Sequence, residues 1–343
     1  MITHSVRHPV LLRATTPSLR HITALRSCRQ PRRLLPSSAR TMSYNTSIPA
    51  FQSLLSSLGP NSRILALCGA GLSASSGLPT FRGAGGLWRN HDPTSLATPE
   101  AFAADPALVW LFYAWRRHMA LKAEPNDGHK ALAKLAEVKG ASGFMCLTQN
   151  VDGLSQRAGH PAAQLKPLHG NILTLKCSSP SCNYIEHQNT DDPLCPALAA
   201  AAQDYPPDQP IPLLDAATPL PEIKRADLPH CPACKASSAS SSSLLRPGVV
   251  WFGESLDSDM LMGVENWIYR GPIEVMLVIG TAAAVYPAAG YVRKAKRRGA
   301  VVAVVNPDPA AAEGLGPEDF WFGGDAAEVL PALFEGLVGR IGE

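Results

Sequence analysis

Four short apolar runs recur along the chain, and each ends in a glycine or a small polar residue. They span residues 64–68, 144–147, 276–281 and 301–306. Uninterrupted apolar runs of this length are typical of strands that are buried on both faces, as in a parallel sheet. We therefore predict an α/β fold, a Rossmann-like parallel sheet with helices on both faces and its ligand site at the carboxyl ends of the strands.

Helical periodicity appears between the first two runs. Residues 106–122 carry an apolar stripe with helical spacing, and residues 128–140 form a shorter amphipathic segment that ends at a glycine. On the first helix Tyr113 and Arg116 are three residues apart and share another face. Pattern alone predicts a core aromatic for Tyr113 and a solvated charge for Arg116, as for its neighbour Arg117.

The first 43 residues differ in composition from the rest. They contain eight arginines and several Ser and Thr, and the first acidic residue of the chain is Asp92. This composition is typical of a mitochondrial transit peptide, with a basic tail that binds nucleic acid or anionic lipid as the alternative. We predict import into the mitochondrial matrix, and a start at Met42 would give a shorter product for the cytosol or nucleus.

Charge and hydropathy exclude two classes of partner. Removing those eight arginines from the 31 basic residues leaves 23 against 28 acidic residues, a net charge of −5. A mildly acidic domain predicts no general affinity for nucleic acid. The longest apolar stretch, residues 276–292, is interrupted by Gly280, Pro287 and Gly290, so we predict no membrane insertion.

A glycine pattern follows the first strand. Gly69, Ala70 and Gly71, with Ala74 at the third small position, match G-x-G-x-x-G/A. Such glycines permit a tight turn and let exposed N–H groups approach a pyrophosphate. The pattern alone is a weak signal. Moreover, Gly77 and Pro79 break the helix that a dehydrogenase would have here, and a flexible loop follows at residues 81–86.

The whole stretch GAGLSASSGLPTFRG resembles the signature of the sirtuins, NAD-dependent protein-lysine deacylases, and the resemblance extends over roughly residues 50–333. It implies that NAD binds to Gly69, Ala70, Gly71 and Ser73, with Phe81 and Arg82 in a loop that closes over it. It also implies that Gly280, Thr281, Asn306 and Ala326 contact the adenosine half.

The resemblance also implies the catalytic groups. The sequence Thr148-Gln149-Asn150-Val151-Asp152 is similar to the sirtuin TQN-x-D element, in which Gln149 and Asn150 contact ribose and position water and Asp152 holds the carboxamide. His169, in a His-Gly pair, matches the general base, a role suited to an imidazole near neutral pH. His118, His129 and His160 lie in no comparable motif.

For the acyl substrate, Tyr113 and Arg116 resemble the acyl-pocket pair of the sirtuin class that prefers succinyl, malonyl and glutaryl lysine. A guanidinium and a phenol suit an acyl group that ends in a carboxylate. Residues 247–254 resemble the strand and loop that hold the substrate peptide by main-chain pairing. The substrate-binding residues implied there are Val250, Gly253 and Glu254.

Two cysteine pairs predict a metal site. Cys177 and Cys182 form one pair, and Cys231 and Cys234 form the other. Four thiolates can bind a structural Zn²⁺, and sirtuins carry a zinc module at this place. A disulfide framework is the alternative, which a reducing compartment disfavours. Cys195 is expected not to be a ligand, while Cys68 and Cys146 are expected in the core.

The predicted organisation is a presequence at residues 1–43, a catalytic domain at 44–170 and 245–343, and a zinc module at 171–244 with Pro/Ala-rich and Ser-rich loops. The predicted activity is NAD-dependent removal of acyl groups from protein lysines by a monomer. Three alternatives stay open: an acetyl-lysine deacetylase, a mono-ADP-ribosyltransferase, and a non-catalytic NAD-responsive binding module. His169, Asn150 and Asp152 disfavour the last.

Overall fold

A computed structural model of the chain describes residues 44–80, 88–206, 209–237 and 243–342, with the side chains of 235–237 left out. The predicted presequence with Cys28, and the loop residues Phe81 and Arg82, lie outside the described residues. The predicted domain limits at residues 170 and 245 stay a prediction.

A parallel sheet of six strands forms the centre of the fold. Its order is β3-β2-β1-β7-β8-β9, with every neighbouring pair parallel. All four apolar runs are strands of this sheet, and only the short outer strands β3 and β9 were not predicted. The nine strands of the described residues are β1 Ile64–Cys68, β2 Phe144–Thr148, β3 Leu165–Pro167, β4 Gly170–Cys177, β5 Ile185–Glu186, β6 Leu245–Val249, β7 Val275–Ile279, β8 Val301–Val305 and β9 Phe320–Phe322.

Helices cover both faces of this sheet, as predicted. Alternate residues of β1 point in opposite directions: Ala66 packs with α1, α5 and α10, and Leu67 packs with α8 and α9. The helices among the described residues are α1 Ile48–Ser57, α2 Pro93–Leu96, α3 Pro99–Ala104, α4 Pro106–Lys122, α5 Asp127–Gly143, α6 Leu154–Arg157, α7 Pro232–Ser237, α8 Ser258–Tyr269, α9 Ala288–Arg297 and α10 Ala326–Val338. None of them is both long and apolar enough to cross a bilayer.

A second, antiparallel sheet has the order β5-β4-β6 and shares a buried core with α4. The predicted substrate strand is β6, which ends at Val249, so the loop begins one residue later at Val250. Because β6 is at the edge of its sheet, one side of its backbone faces away from β4. The expected loop at 191–229 is packed rather than extended, since Leu198, Leu213 and Leu228 are buried in this core.

Arg117 differs from the expectation of a solvated charge. Its side chain is 1 % exposed, and its guanidinium donates to the carbonyl oxygens of Ile172, Asn189 and Asp191 at 2.9–3.0 Å. The partners lie between 55 and 74 residues away in sequence, which is why local pattern did not reveal them. Arg117 therefore fastens α4 to β4 and to the start of the 191–229 segment.

Candidate active site

A cavity of about 880 Å³ opens at the carboxyl ends of β1, β2, β7 and β8. All the predicted catalytic, cofactor and substrate residues that the structure describes line it. From the nucleotide side these are Gly69, Ala70, Gly71, Ser73, Gln149, Asn150, Asp152, His169, Gly280, Thr281, Asn306 and Ala326. From the acyl and peptide side they are Tyr113, Arg116, Val250, Gly253 and Glu254.

The glycine turn after β1 packs tightly against the end of β7. Ala70–Ser76 is a short 3₁₀ helix that stops at Gly77 in the left-handed conformation, as the early glycine predicted. A Cβ atom on Gly69 would lie 2.6 Å from the Cβ of Thr281, and one on Gly71 would lie 2.7 Å from the Cα of Gly280. Only glycine therefore allows these two strand ends to meet.

The expectation that the N–H groups of this turn face a pyrophosphate is wrong for Gly69 and Gly71. Their N–H groups donate to the carbonyls of Ile279 and Gly280, both at 2.9 Å. The two glycines line the cavity because the interlocked turn forms its floor. Their small size, rather than these two donors, is what they contribute.

His169 has the geometry of a neutral base. Its Nδ1 lies 3.1 Å from the carbonyl oxygen of Gln149, and a carbonyl only accepts, so Nδ1 carries the proton and donates. Burial lowers the pKa of His169, an effect that the contact with Gln149 partly offsets. The ring is therefore neutral at physiological pH, with the lone pair of Nε2 able to accept a proton.

The side chain of Asn150 has a fixed orientation. Its amide nitrogen donates to the carbonyl of Gly69 at 3.0 Å and to Oγ of Ser73 at 3.1 Å. This leaves Oδ1 as an acceptor for a hydroxyl or a water. Gln149 bonds in the same way across the strand ends, through Nε2 to Oγ1 of Thr281 at 3.0 Å.

Asp152 belongs to a partly buried hydrogen-bond network that sequence reasoning missed in part. Oγ of Ser73 donates to Asp152 at 2.7 Å and lies 3.3 Å from Nε2 of His129. Burial is the main cause that lowers the pKa of His129 to about 4, so this ring is neutral. Asn126 caps the start of α5 and places His129 in the first turn of that helix. The Asn-x-x-His spacing could have indicated from the sequence that His129 belongs to this network.

From α4, Tyr113 and Arg116 line the cavity, and we call the part of the cavity beside them its acyl end. Burial raises the pKa of Tyr113 to about 12, despite the nearby charge of Arg116. The phenol therefore keeps its proton and remains a hydrogen-bond donor. Burial lowers the pKa of Arg116, while Tyr113 and Asp152 act in the opposite direction, and the group stays charged at neutral pH.

The segment after β6 closes the same end of the cavity. The N–H of Val250 donates to the carbonyl of His169 at 2.9 Å, and Gly253 adopts a positive φ of 89° that favours glycine. Glu254 lines the cavity, but its carboxylate already accepts two hydrogen bonds from Arg246. Its contact with a substrate stays a prediction.

The four predicted zinc ligands converge. The sulfur atoms of Cys177, Cys182, Cys231 and Cys234 all lie within 4.8 Å of one another, and two of the pairs are 3.7 and 3.8 Å apart. Tetrahedral Zn²⁺ with bonds of about 2.3 Å requires sulfurs about 3.8 Å apart. The site therefore fits a structural zinc with no position left for water. Cys195 lies outside this cluster, and its Sγ contacts the carbonyl of Asp227.

Comparison with known proteins identifies the chain. The model of the Sir2 family matches residues 69–287. This chain belongs to the Sir2 family. An NAD-dependent protein deacylase of Candida albicans is 44 % identical over 81 % of this chain and 95 % of its own length. A dog protein, NAD-dependent protein deacylase sirtuin-5, mitochondrial, is 38 % identical over 78 % of this chain and 79 % of its own length.

Solved structures agree with this membership of the Sir2 family. A Sir2 homologue in complex with NAD superimposes with a TM-score of 0.63 at 34 % identity, covering 86 % of this chain and 95 % of the other. A Sir2 homologue mutant in complex with 2′-O-acetyl ADP-ribose gives 0.64 at the same identity, covering 85 % and 96 %.

Proposed function

We propose that this protein is an NAD-dependent protein-lysine deacylase that prefers succinyl, malonyl and glutaryl groups and yields nicotinamide and O-acyl-ADP-ribose. Family membership and relatives named NAD-dependent protein deacylases, sirtuin-5 among them, support the deacylase activity. One observation supports the acyl preference. A single cavity contains both the neutral base His169 and, at its acyl end, the protonated Tyr113 beside the cationic Arg116.

NAD would occupy the strand-end side of the cavity and supply the ribose carbon to which the acyl oxygen attaches as nicotinamide leaves. The fixed Oδ1 of Asn150 would accept a hydrogen bond from a ribose hydroxyl or a water. The Asp152 carboxylate, held by Ser73, would accept from the nicotinamide carboxamide. His169 would take a proton at Nε2 from a ribose hydroxyl.

The preference among acyl groups would come from α4. A carboxylate at the end of the acyl chain would gain the charge of Arg116 and the O–H of Tyr113, whereas a methyl group gains neither. A charge-assisted contact contributes about 1.5–3 kcal/mol, which is about 10- to 100-fold in specificity. This preference is independent of His169, which serves every acyl group.

The substrate protein would bind mainly through its backbone. The outer edge of β6 and the chain from Val250 to Gly253 lie beside His169 and the acyl end. An extended peptide can pair with such an edge and leave its acyl-lysine directed into the cavity. Main-chain pairing selects little by sequence, so many acylated proteins would be substrates.

The test is a panel of one peptide that carries acetyl, malonyl, succinyl or glutaryl lysine, with nicotinamide release measured for each. We expect kcat/KM to be about 10- to 100-fold higher for the acidic acyl groups, and Arg116→Met to remove most of that difference while acetyl turnover persists. Lys122→Met removes a charge from an exposed end of the same helix and should leave the ratio of kcat/KM between acidic acyl groups and acetyl unchanged.

Equal turnover of acetyl and succinyl peptides by the wild type would make a plain deacetylase the better assignment. Transfer of ADP-ribose to protein instead would indicate the transferase.

For location, we propose that residues 1–43 direct the protein to the mitochondrial matrix. The eight arginines without an acidic residue and the relatives named as mitochondrial support this. Residues 1–43 fused to a fluorescent reporter should bring it into mitochondria, and a version with the arginines replaced by glutamine should stay outside. A diffuse signal from the unaltered fusion would exclude the proposal.

A further inference from the structure

The phenol at the acyl end has a fixed hydrogen-bond direction. Nε1 of Trp251 lies 3.0 Å from the hydroxyl of Tyr113, and both side chains are buried. An indole N–H can only donate, so the oxygen of Tyr113 accepts this bond. Its own hydrogen must then point away from Nε1 of Trp251, and the pKa of about 12 keeps that hydrogen on the oxygen.

The indole of Trp251 is itself held in position. Cζ of Arg246 lies 3.3 Å from the centroid of the Trp251 ring, a close cation–π contact. The ring of Phe102 packs at 5.3 Å between centroids. With these neighbours the indole cannot turn its N–H away from Tyr113 without disrupting the buried core.

Arg246 is fixed in turn by Glu254. Its two terminal nitrogens bond the carboxylate at 2.5 and 2.8 Å, and the same carboxylate accepts the backbone N–H of Trp251 at 2.8 Å. A carboxylate, a guanidinium, an indole and a phenol therefore follow one another from β6 to α4. The last member of this chain, the phenol of Tyr113, lines the cavity.

We propose that Trp251, backed by Arg246, is a positioning residue for acyl selection, which makes Tyr113 a donor toward an acyl carboxylate. The proposal rests on the function proposed above. A carboxylate accepts the directed hydrogen, whereas the methyl group of an acetyl chain offers no acceptor. The N–H of Trp251 therefore favours acidic acyl groups without touching them.

The test is Trp251→Phe, which removes the N–H and keeps an aromatic ring. The ratio of kcat/KM for succinyl to acetyl peptide should fall about 3- to 10-fold, the effect of one hydrogen bond, with acetyl turnover retained. Trp110→Phe is the matched control. It removes another buried indole N–H bond of 3.0 Å, to the carbonyl of Leu245, and should leave the ratio unchanged.

Two further variants separate positioning from stability. In a Tyr113→Phe background, Trp251→Phe should change the ratio by less than about 2-fold, because the hydroxyl it directs is already gone. If Trp251→Phe does not fold, benzothienylalanine introduced at position 251 replaces the N–H by sulfur with nearly the same shape. The same 3- to 10-fold fall is expected.

A wild-type preference that persists undiminished in Trp251→Phe or in the benzothienyl variant would overturn this inference alone. A parallel fall for both peptides, as a purely structural role predicts, would overturn it too. A wild type without any preference for succinyl lysine would instead overturn the proposed function, and this inference with it.

Discussion

Two walls of the cavity are built from different kinds of structure. One wall consists of the ends of parallel strands, where His169, Asn150 and Gln149 are fixed by bonds to neighbouring strand ends. The other consists of α4 and the chain after β6, where Tyr113 and Arg116 lie on a helix that Arg117, a residue outside the cavity lining, fastens to β4 and to Asn189. Under the proposed function, the strand-end wall would carry groups that any acyl substrate needs, and the helix wall would carry groups that distinguish one acyl chain from another.

With the roles proposed above, this separation would let acyl selectivity change without loss of turnover. Changes in the strand-end wall should lower turnover of every acyl peptide by the same factor. Changes on the cleft side of α4 should alter ratios between peptides. Changes at Arg117, or in the zinc cluster, should act through folding.

The largest effect is expected from the zinc cluster, which belongs to neither wall. Cys231→Ser should lose most of the bound zinc and of the folded yield, since structural zinc contributes about 10–16 kcal/mol of apparent binding energy. Metal analysis of the wild type should give about one zinc per chain. Cys195→Ala should keep full zinc content, and loss of zinc there would show that the ligand set is wrong.

His169→Ala tests the strand-end wall. Turnover should fall by about 10²–10⁴, by equal factors for acetyl and succinyl peptides, with a smaller change in nucleotide affinity measured by calorimetry. His187→Ala, at an exposed histidine outside the cavity, is the control. Near-normal turnover in His169→Ala would assign the base to another residue.

Arg117→Met tests the attachment of the helix wall to β4 and to the turn at Asn189 and Asp191. The buried carbonyls of Ile172 and Asn189 and the part-buried carbonyl of Asp191 would lose their donor, so the free energy of unfolding should fall by about 2–4 kcal/mol, measured by urea denaturation. The ratio of succinyl to acetyl turnover should stay the same at a temperature where the variant is folded. Arg116→Met should show the reverse pattern, and a ratio altered by Arg117→Met would break the division between the cavity residues of α4 and the buried arginine that fastens the helix.

The smallest expected effect is a shift in the pH dependence of kcat/KM, which should be the same for the acetyl and succinyl peptides. His169 must be neutral to accept a proton, so kcat/KM should fall as the pH drops through its pKa. Burial lowers that pKa, which places the acid limb below the ordinary value of about 6.5. The midpoint should be the same for acetyl and succinyl peptides. A midpoint of the acid limb above about 6.5 would contradict the effect of burial on the pKa of His169. Midpoints that differ between the two peptides would indicate that a group at the acyl end, rather than His169, causes the acid limb.

Sequence predicted the parts of the site that depend on local pattern. The apolar runs predicted the strands, because burial on both faces leaves no alternation, and their polar ends predicted the edge where the cavity opens. Motif spacing predicted the cysteine cluster. Tyr113 and Arg116 came only from resemblance to a family, since their spacing alone equally suits a core aromatic and a surface charge.

Arg117 and His129 show what local pattern omits. Adjacent arginines on one helix look alike in sequence, yet one turns to the cavity and the other to carbonyls more than 50 residues away. His129 likewise meets Ser73 across 56 residues. Whether a polar group is buried depends on which distant segment arrives beside it, and that information is not in the local sequence.

Arg117 has a consequence for how this chain tolerates change. Its guanidinium holds the strand end at Ile172 and the turn at Asn189 and Asp191 through main-chain oxygens, apart from one bond to the side chain of Asn189. Main-chain oxygens are the same in every residue, so the bonds to these oxygens do not themselves depend on the side chains at those positions. The length of the turn is constrained, because one terminal nitrogen of Arg117 binds the carbonyls of both Asn189 and Asp191. One inserted residue would move one of these carbonyls out of reach of that nitrogen.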